Sequence, residues 1–200
     1  MLDSAAILQK TRQFVLYQMN QNDAAHDAWH IRRVVALAQT LCKAYPQANA
    51  FRAELLAWLH DLNDDKLSSN IGNASVSAFL QQICVPEADI QFVAEGLPYI
   101  SYRKHPKLPD HIPLEIRIVQ DADRIDAMGA VGIARTFAYG GANHRSLTNS
   151  LSHFDEKLLL LYDLLSTEEA RRIALPRHEF LKAFYARFRE EAAMAASLDS

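Results

Sequence analysis

The chain has 200 residues, half of them hydrophobic and 22% charged, with a formal net charge of −3 and a pI near 6.2. So high an apolar fraction at so low a net charge excludes a disordered chain and suffices for one good core, so a single domain over residues 1–200 is expected. The charge balance gives no general pull toward nucleic acid or membranes, and neither is expected as a partner.

Asp3 or Ser4 can cap a first helix running to about Met19, with Ile7, Leu8, Phe14, Val15 and Tyr17 among its apolar positions. Charge interrupts the first dozen residues, so no secretory signal is read there. No apolar run approaches the roughly 18 residues that a membrane span needs, and a cytoplasmic protein is expected. Asp27 can cap a second helix through about Ala44, whose Ile31, Val34, Val35, Ala38 and Leu41 recur at spacings of three and four. A third covers roughly Gln47 to Leu62. Leu55, Leu56, Trp58 and Leu59 make it apolar over much of its surface, as a central helix must be. Asn73 or Ser75 begins a fourth, to about Cys84, and Glu87 a fifth, to about Tyr99.

Residues 101–113 read as a polar loop punctuated by prolines. One long sixth helix then follows Pro113 through Ile118, Ile125, Met128 and Ile133 to Phe137. Gly129 and Gly132 within it each cost about 1 kcal/mol relative to alanine, which close helix packing or substrate approach would explain. Residues 139–148 read as a loop, followed by helices near 151–165 and 167–196, with Pro176 kinking or interrupting the last. No segment alternates apolar and polar residues over a strand length. The fold class is therefore all-α, a single-domain helical bundle. Cys42 and Cys84 stand alone in apolar stretches and read as two buried, reduced thiols.

The strongest chemical signal is Leu59-His60-Asp61-Leu62, a His and an Asp side by side near the end of an apolar helix. Neighbouring helical residues point about 100° apart, yet both side chains can converge on an ion just off the helix. The plain alternative is a helix-end ion pair or a His meeting the helix dipole. Upstream, Asp27, His30 and Arg33 share one helix face at spacings of three. Downstream, Asp121, Asp123 and Asp126 lie within six residues of an otherwise apolar helix, which is costly unless they face solvent or a cation.

The order H…HD…D, with the words His-x-x-Arg-Val at 30–34, Leu-His-Asp at 59–61 and Asp-Ala-Asp-Arg-Ile-Asp-Ala at 121–127, resembles the HD superfamily of metal-dependent phosphohydrolases. The resemblance covers at least residues 23–137. Ile-Ser-Tyr-Arg at 100–103, Gly-Ala-Val-Gly-Ile-Ala-Arg at 129–135 and Ser-His-Phe-Asp-Glu-Lys-Leu-Leu at 152–159 are similar to a small stand-alone bacterial subgroup, with C-terminal helices over 151–196. That subgroup includes members acting on nucleoside triphosphates.

The resemblance implies His30, His60, Asp61 and Asp123 as metal ligands, with Asp121 a close competitor of Asp123 for the last place. It also implies Asp64 as a proton acceptor in catalysis, with Asp65 taking that role if the helix ends early. Two nitrogens and two carboxylates suit manganese, magnesium, iron or cobalt, and the donor set does not choose among them. Phosphate contacts are sought among Arg33, Lys66, Arg103, Arg124, Arg145 and Lys157, since phosphate needs cations or amide donors. The implied partner is a small phosphorylated molecule, a nucleotide first. A nucleotidase, a phosphodiesterase or a non-catalytic regulatory HD module are the alternatives.

Overall fold

The computed structural model describes residues 3–19, 28–62, 72–102, 105 and 107–196. Among them every regular element is helical: α1 (Ser4–Met19), α2 (Ala28–Ala44), α3 (Ala50–Leu59), α4 (Gly72–Gln82), α5 (Glu87–Ile100), α6 (Leu114–Asp126), α7 (Gly129–Ala142), α8 (Leu147–Glu156), a 3-10 turn (Leu158–Leu160) and α9 (Glu168–Ala196). The all-α expectation holds. The chain forms two compact units, Met1–Asp123 and Arg124–Ser200, which divide inside α6.

In the first unit α3 is the hub, packing against α1, α2 and α5, while α4 packs on α5. Its Ala53, Leu55, Leu56, Ala57 and Leu59 are completely buried. Each leucine so buried contributes about 1.5–3 kcal/mol of transfer free energy. The helix is shorter at both ends than its periodicity suggests. Asn49 caps it by accepting a hydrogen bond from Arg52 N at 3.2 Å. At the other end Leu62 N donates to Leu59 O at 3.1 Å, so the last turn tightens while His60 keeps helical angles (φ −59°, ψ −34°). At the start of α1 the cap is Asp3, whose carboxylate accepts from Ala6 N at 2.7 Å. Asp27, the expected cap of α2, lies outside the described residues.

The second unit packs α7 against α8 and α9. Its core holds a ring cluster: Phe137 contacts Phe154, Phe184 and Phe188, and Phe154 also stacks on Phe184 and Tyr185, with centroids 5.7–6.1 Å apart.

The structure corrects four sequence expectations. The long helix from Pro113 to Phe137 is two helices. Met128 is extended (φ −103°, ψ 166°) and Gly129 has φ +69°, a left-handed conformation that strains any residue with a Cβ. A Cβ on Gly132 would lie 2.0 Å from the Ala127 carbonyl oxygen, so the second glycine lets α7 start this close to the end of α6. Residues 139–148 are not a loop, because α7 runs to Ala142 and Ser146 caps α8, accepting from Asn149 N at 3.1 Å. The helix expected near 151–165 stops at Glu156, where Lys157 leaves helical geometry (φ −143°, ψ −60°). Finally, Cys42 is buried as expected but Cys84 is exposed, with φ 60° just past the end of α4. Pro176 neither starts nor ends an element, and α9 continues through it.

Candidate metal centre

Three elements of the first unit deliver the site. His30 comes from the first turn of α2 and is 4% exposed; His60, 8% exposed, caps the C-terminus of α3; Asp61 follows it in the turn; Asp123 comes from α6. Each group is placed by the fold of its own segment. The amphipathic face of α2 must turn inward to bury Ile31, Val34 and Val35, and His30 goes with it.

The side chains meet through their polar tips. Asp61 straddles the two imidazoles, with one carboxylate oxygen 3.4 Å from His30 Nε2 and the other 3.3 Å from His60 Nε2. The two Nε2 atoms are 3.4 Å apart, with the rings nearly perpendicular at 72°. Asp123 reaches both imidazoles, its Oδ1 standing 3.3 Å from His30 Nε2 and 4.0 Å from His60 Nε2. Ligand atoms of His30, His60 and Asp61 all lie within 4.8 Å of one another.

His60 Nδ1 lies 2.8 Å from the carbonyl oxygen of Ala57. A carbonyl only accepts, so Nδ1 carries the proton and donates it, leaving the Nε2 lone pair turned toward the cluster. A backbone carbonyl that fixes the tautomer in this way is the usual support of a metal-ligating imidazole. The spacing fits as well. Two donors each about 2.1 Å from one ion and about 90–110° apart stand about 3.0–3.4 Å from each other, which is the separation among His30, His60 and Asp61 and between His30 and Asp123; His60 and Asp123, at 4.0 Å, stand wider. Burying imidazoles and carboxylates together costs free energy unless a partner answers them, and a divalent cation takes both kinds of donor.

Of the acidic trio on α6, Asp123 is the member that approaches both histidines. Asp121 and Asp126 are fully buried, and Asp126 accepts from Arg135 Nη1 at 3.1 Å. Asp64, Asp65, Lys66 and Arg103 lie outside the described residues. Arg33 sits on α2, half-buried, three residues after His30. Arg124, Arg145 and Lys157 belong to the second unit. There Arg124 is 2% exposed and its Nη1 donates to the Leu164 carbonyl. The Arg145 guanidinium lies 5.2 Å from the centroid of the Tyr139 ring. Lys157 ends α8, its backbone N–H donating to His153 O at 3.1 Å.

One neighbour of a cluster residue in the chain carried no sequence signal: Trp29, adjacent to His30, is 62% exposed. A separate cleft of about 470 Å³ lies between α5 and residues 105–116, lined by Phe92, Tyr99, His105 and His111 among others; none of the four cluster residues lines it. Among the described residues, no helix is long and apolar enough to cross a membrane.

A family model described as HD domain matches residues 28–128, half of the chain. A Bacillus subtilis (strain 168) protein, YpgQ, described as uncharacterized, is 35% identical over 184 residues, spanning 88% of this chain and 89% of that protein. The crystal structure of B. subtilis YpgQ in complex with ADP superposes with a TM-score of 0.81 at 31% identity, covering 94% of this chain and 96% of that one. That of an HD-superfamily hydrolase from Bacillus thuringiensis gives a TM-score of 0.76 at 36% identity, covering 96% and 99%.

Proposed function

The chain belongs to the HD domain family, whose type is the metal-dependent phosphohydrolase, and on that premise we propose that it hydrolyses a nucleoside triphosphate between the α and β phosphorus atoms, releasing pyrophosphate. The observation that carries the reading is the meeting of two imidazole nitrogens and the Asp61 carboxylate at 3.3–3.4 Å in a mostly buried spot, with Asp123 Oδ1 3.3 Å from one imidazole and 4.0 Å from the other. The ADP held by the similar B. subtilis protein supports a nucleotide as the phosphorylated molecule.

His30, His60, Asp61 and Asp123 would hold the divalent ion, for which manganese, magnesium, iron and cobalt are the candidates. When bound, such an ion supplies Lewis acidity toward a phosphoryl oxygen and lowers the pKa of a nearby water. The protein's own groups do the rest. The Ala57 carbonyl keeps the His60 lone pair aimed at the cluster. Asp61 turns one oxygen to each histidine, so that the carboxylate and both imidazoles face one point. Asp64, three residues beyond Asp61, accepts the proton of the water that attacks phosphorus, with Asp65 as its alternative. Arg33, Lys66 and Arg103 offset the phosphate charge.

The deciding experiment loads the purified chain with each metal in turn. Nucleoside triphosphates, diphosphates, a cyclic dinucleotide and generic phosphoesters are then supplied, with phosphate and pyrophosphate read out separately. Pyrophosphate from triphosphates is the expected product. Phosphate alone would make the enzyme a nucleotidase, and an opened cyclic dinucleotide a phosphodiesterase. A chain that keeps no metal and turns over nothing would be a regulatory module.

A further inference from the structure

The chain has two tryptophans, and the fold treats them oppositely. Trp58 is 6% exposed within α3, whereas Trp29 is 62% exposed. An indole carries more apolar area than any other side chain, so leaving one in water forgoes a large burial gain. Trp29 stands in the first turn of α2, next to His30, one of the two imidazoles at the heart of the cluster. Consecutive helical side chains diverge by about 100°. The indole therefore leaves α2 on a different bearing from the His30 imidazole. One helical turn on, the Arg32 guanidinium lies over the indole, 5.1 Å from its centroid. Arg32 Nε is enclosed with no hydrogen-bond partner among the described residues, so the ring is what this cation packs against.

We propose that Trp29 is the residue that holds the nucleobase of the substrate, stacking on it while the phosphates engage the cluster. This rests on the nucleotide reading above. An exposed indole is a flat platform, and every base presents a π-face to stack on it, so the contact favours nucleotides over base-free phosphates without choosing strongly among bases. Arg32 holds the ring by its cation–π contact, which limits the entropy lost when a base arrives. The ribose is the spacer between stacked base and reacting phosphorus, which suits a platform beside the metal ligands. Specificity for nucleotides is thus assigned to the turn that supplies His30.

Two readouts test this. Titrating the chain with ADP should quench its tryptophan fluorescence saturably, and inorganic pyrophosphate should not. Trp29→Phe, which leaves Trp58 as the sole emitter, should abolish that response. In steady-state kinetics with magnesium, Trp29→Ala should raise KM for a nucleoside triphosphate about tenfold. It should lower kcat/KM for the nucleotide about tenfold more than for inorganic tripolyphosphate, and Trp29→Phe should recover most of the difference. An unchanged KM, or equal losses on both substrates, would overturn the assignment, as would ADP quenching that persists in Trp29→Phe. If the wild-type chain hydrolyses no nucleotide, the functional reading fails, while the quenching titration still decides whether Trp29 stacks on a base.

Discussion

Asp126 and His60 are both buried, and the two units of the molecule satisfy them differently. In the second unit Asp126 takes a guanidinium, Arg135 Nη1 at 3.1 Å, and Arg124 spends its own on a carbonyl. These are donors matched to acceptors, with a ring cluster as the core beside them. In the first unit His60 meets another imidazole at 3.4 Å and carboxylates at 3.3 and 4.0 Å. There, atoms that would bind a cation crowd one another. The difference separates polarity that holds a fold together from polarity arranged for a ligand.

The largest expected effect comes from striking that second kind. Asp61→Ala removes the carboxylate that spans both histidines. Groups that only support a metal ligand are worth about 10–100-fold in affinity or activity, so losing a ligand should cost about a thousandfold or more. The chain should nevertheless stay folded and soluble, because the variant removes charge from a crowded spot and leaves the apolar packing of α3 intact. Metal content by elemental analysis and a circular-dichroism melt check both halves. Full metal retention or full turnover would end the contrast between the units.

The converse blow falls on the ring cluster. Phe154 is completely buried and touches Phe137, Phe184 and Tyr185. Phe154→Ala should destabilise the chain by about 3 kcal/mol, the lower end for a deleted core ring, since its aromatic neighbours are partly exposed and can settle into the gap. A urea titration followed by circular dichroism measures it. A variant that kept its midpoint would mean that the rings contribute little to the fold.

How far each unit was legible in the sequence follows the same division. The cluster could be read because its parts are local words: an adjacent His-Asp pair ending an apolar helix, a His on an amphipathic face, an acid among apolar residues. The choice of Asp123 over Asp121 was left open, since it depends on how α6 is rotated against α2, which no local pattern fixes. Periodicity found helices α1, α2, α4 and α5 to within a few residues, and α3 with both ends too long. The break between α6 and α7 did not, because an apolar period runs straight through Met128 and only the left-handed φ of Gly129 shows that the chain turns there. The early end of α8 was equally hidden, for Lys157 carries no breaker signature. Trp29 was missed for a related reason. Periodicity counts an indole as apolar and cannot tell whether it faces the core or the water.

The smallest expected effect is a pH response in the second unit. His178 on α9 stacks on Tyr162, with centroids 4.8 Å apart and planes 19° from parallel. Burial lowers its pKa first and nearby Lys182 second, partly opposed by Glu179 and Asp163. The ring is thus held neutral, and its Nδ1 is enclosed with no hydrogen-bond partner among the described residues. A base whose folded pKa lies below its unfolded one supports the fold above the unfolded value, about 6.5. That support is lost as the pH falls from there through the folded value, because the unfolded chain takes up the proton first. His178→Phe keeps the stacked ring and removes both the titration and the enclosed nitrogen. It should therefore be at least as stable as wild type at pH 7, and its melting temperature should fall less steeply between about pH 7 and pH 5. The difference should be small, since the ring is only partly buried and solvent screens its charge. A variant with the wild-type slope would place the second unit's acid sensitivity in its carboxylate pairs, Asp126 with Arg135 first among them.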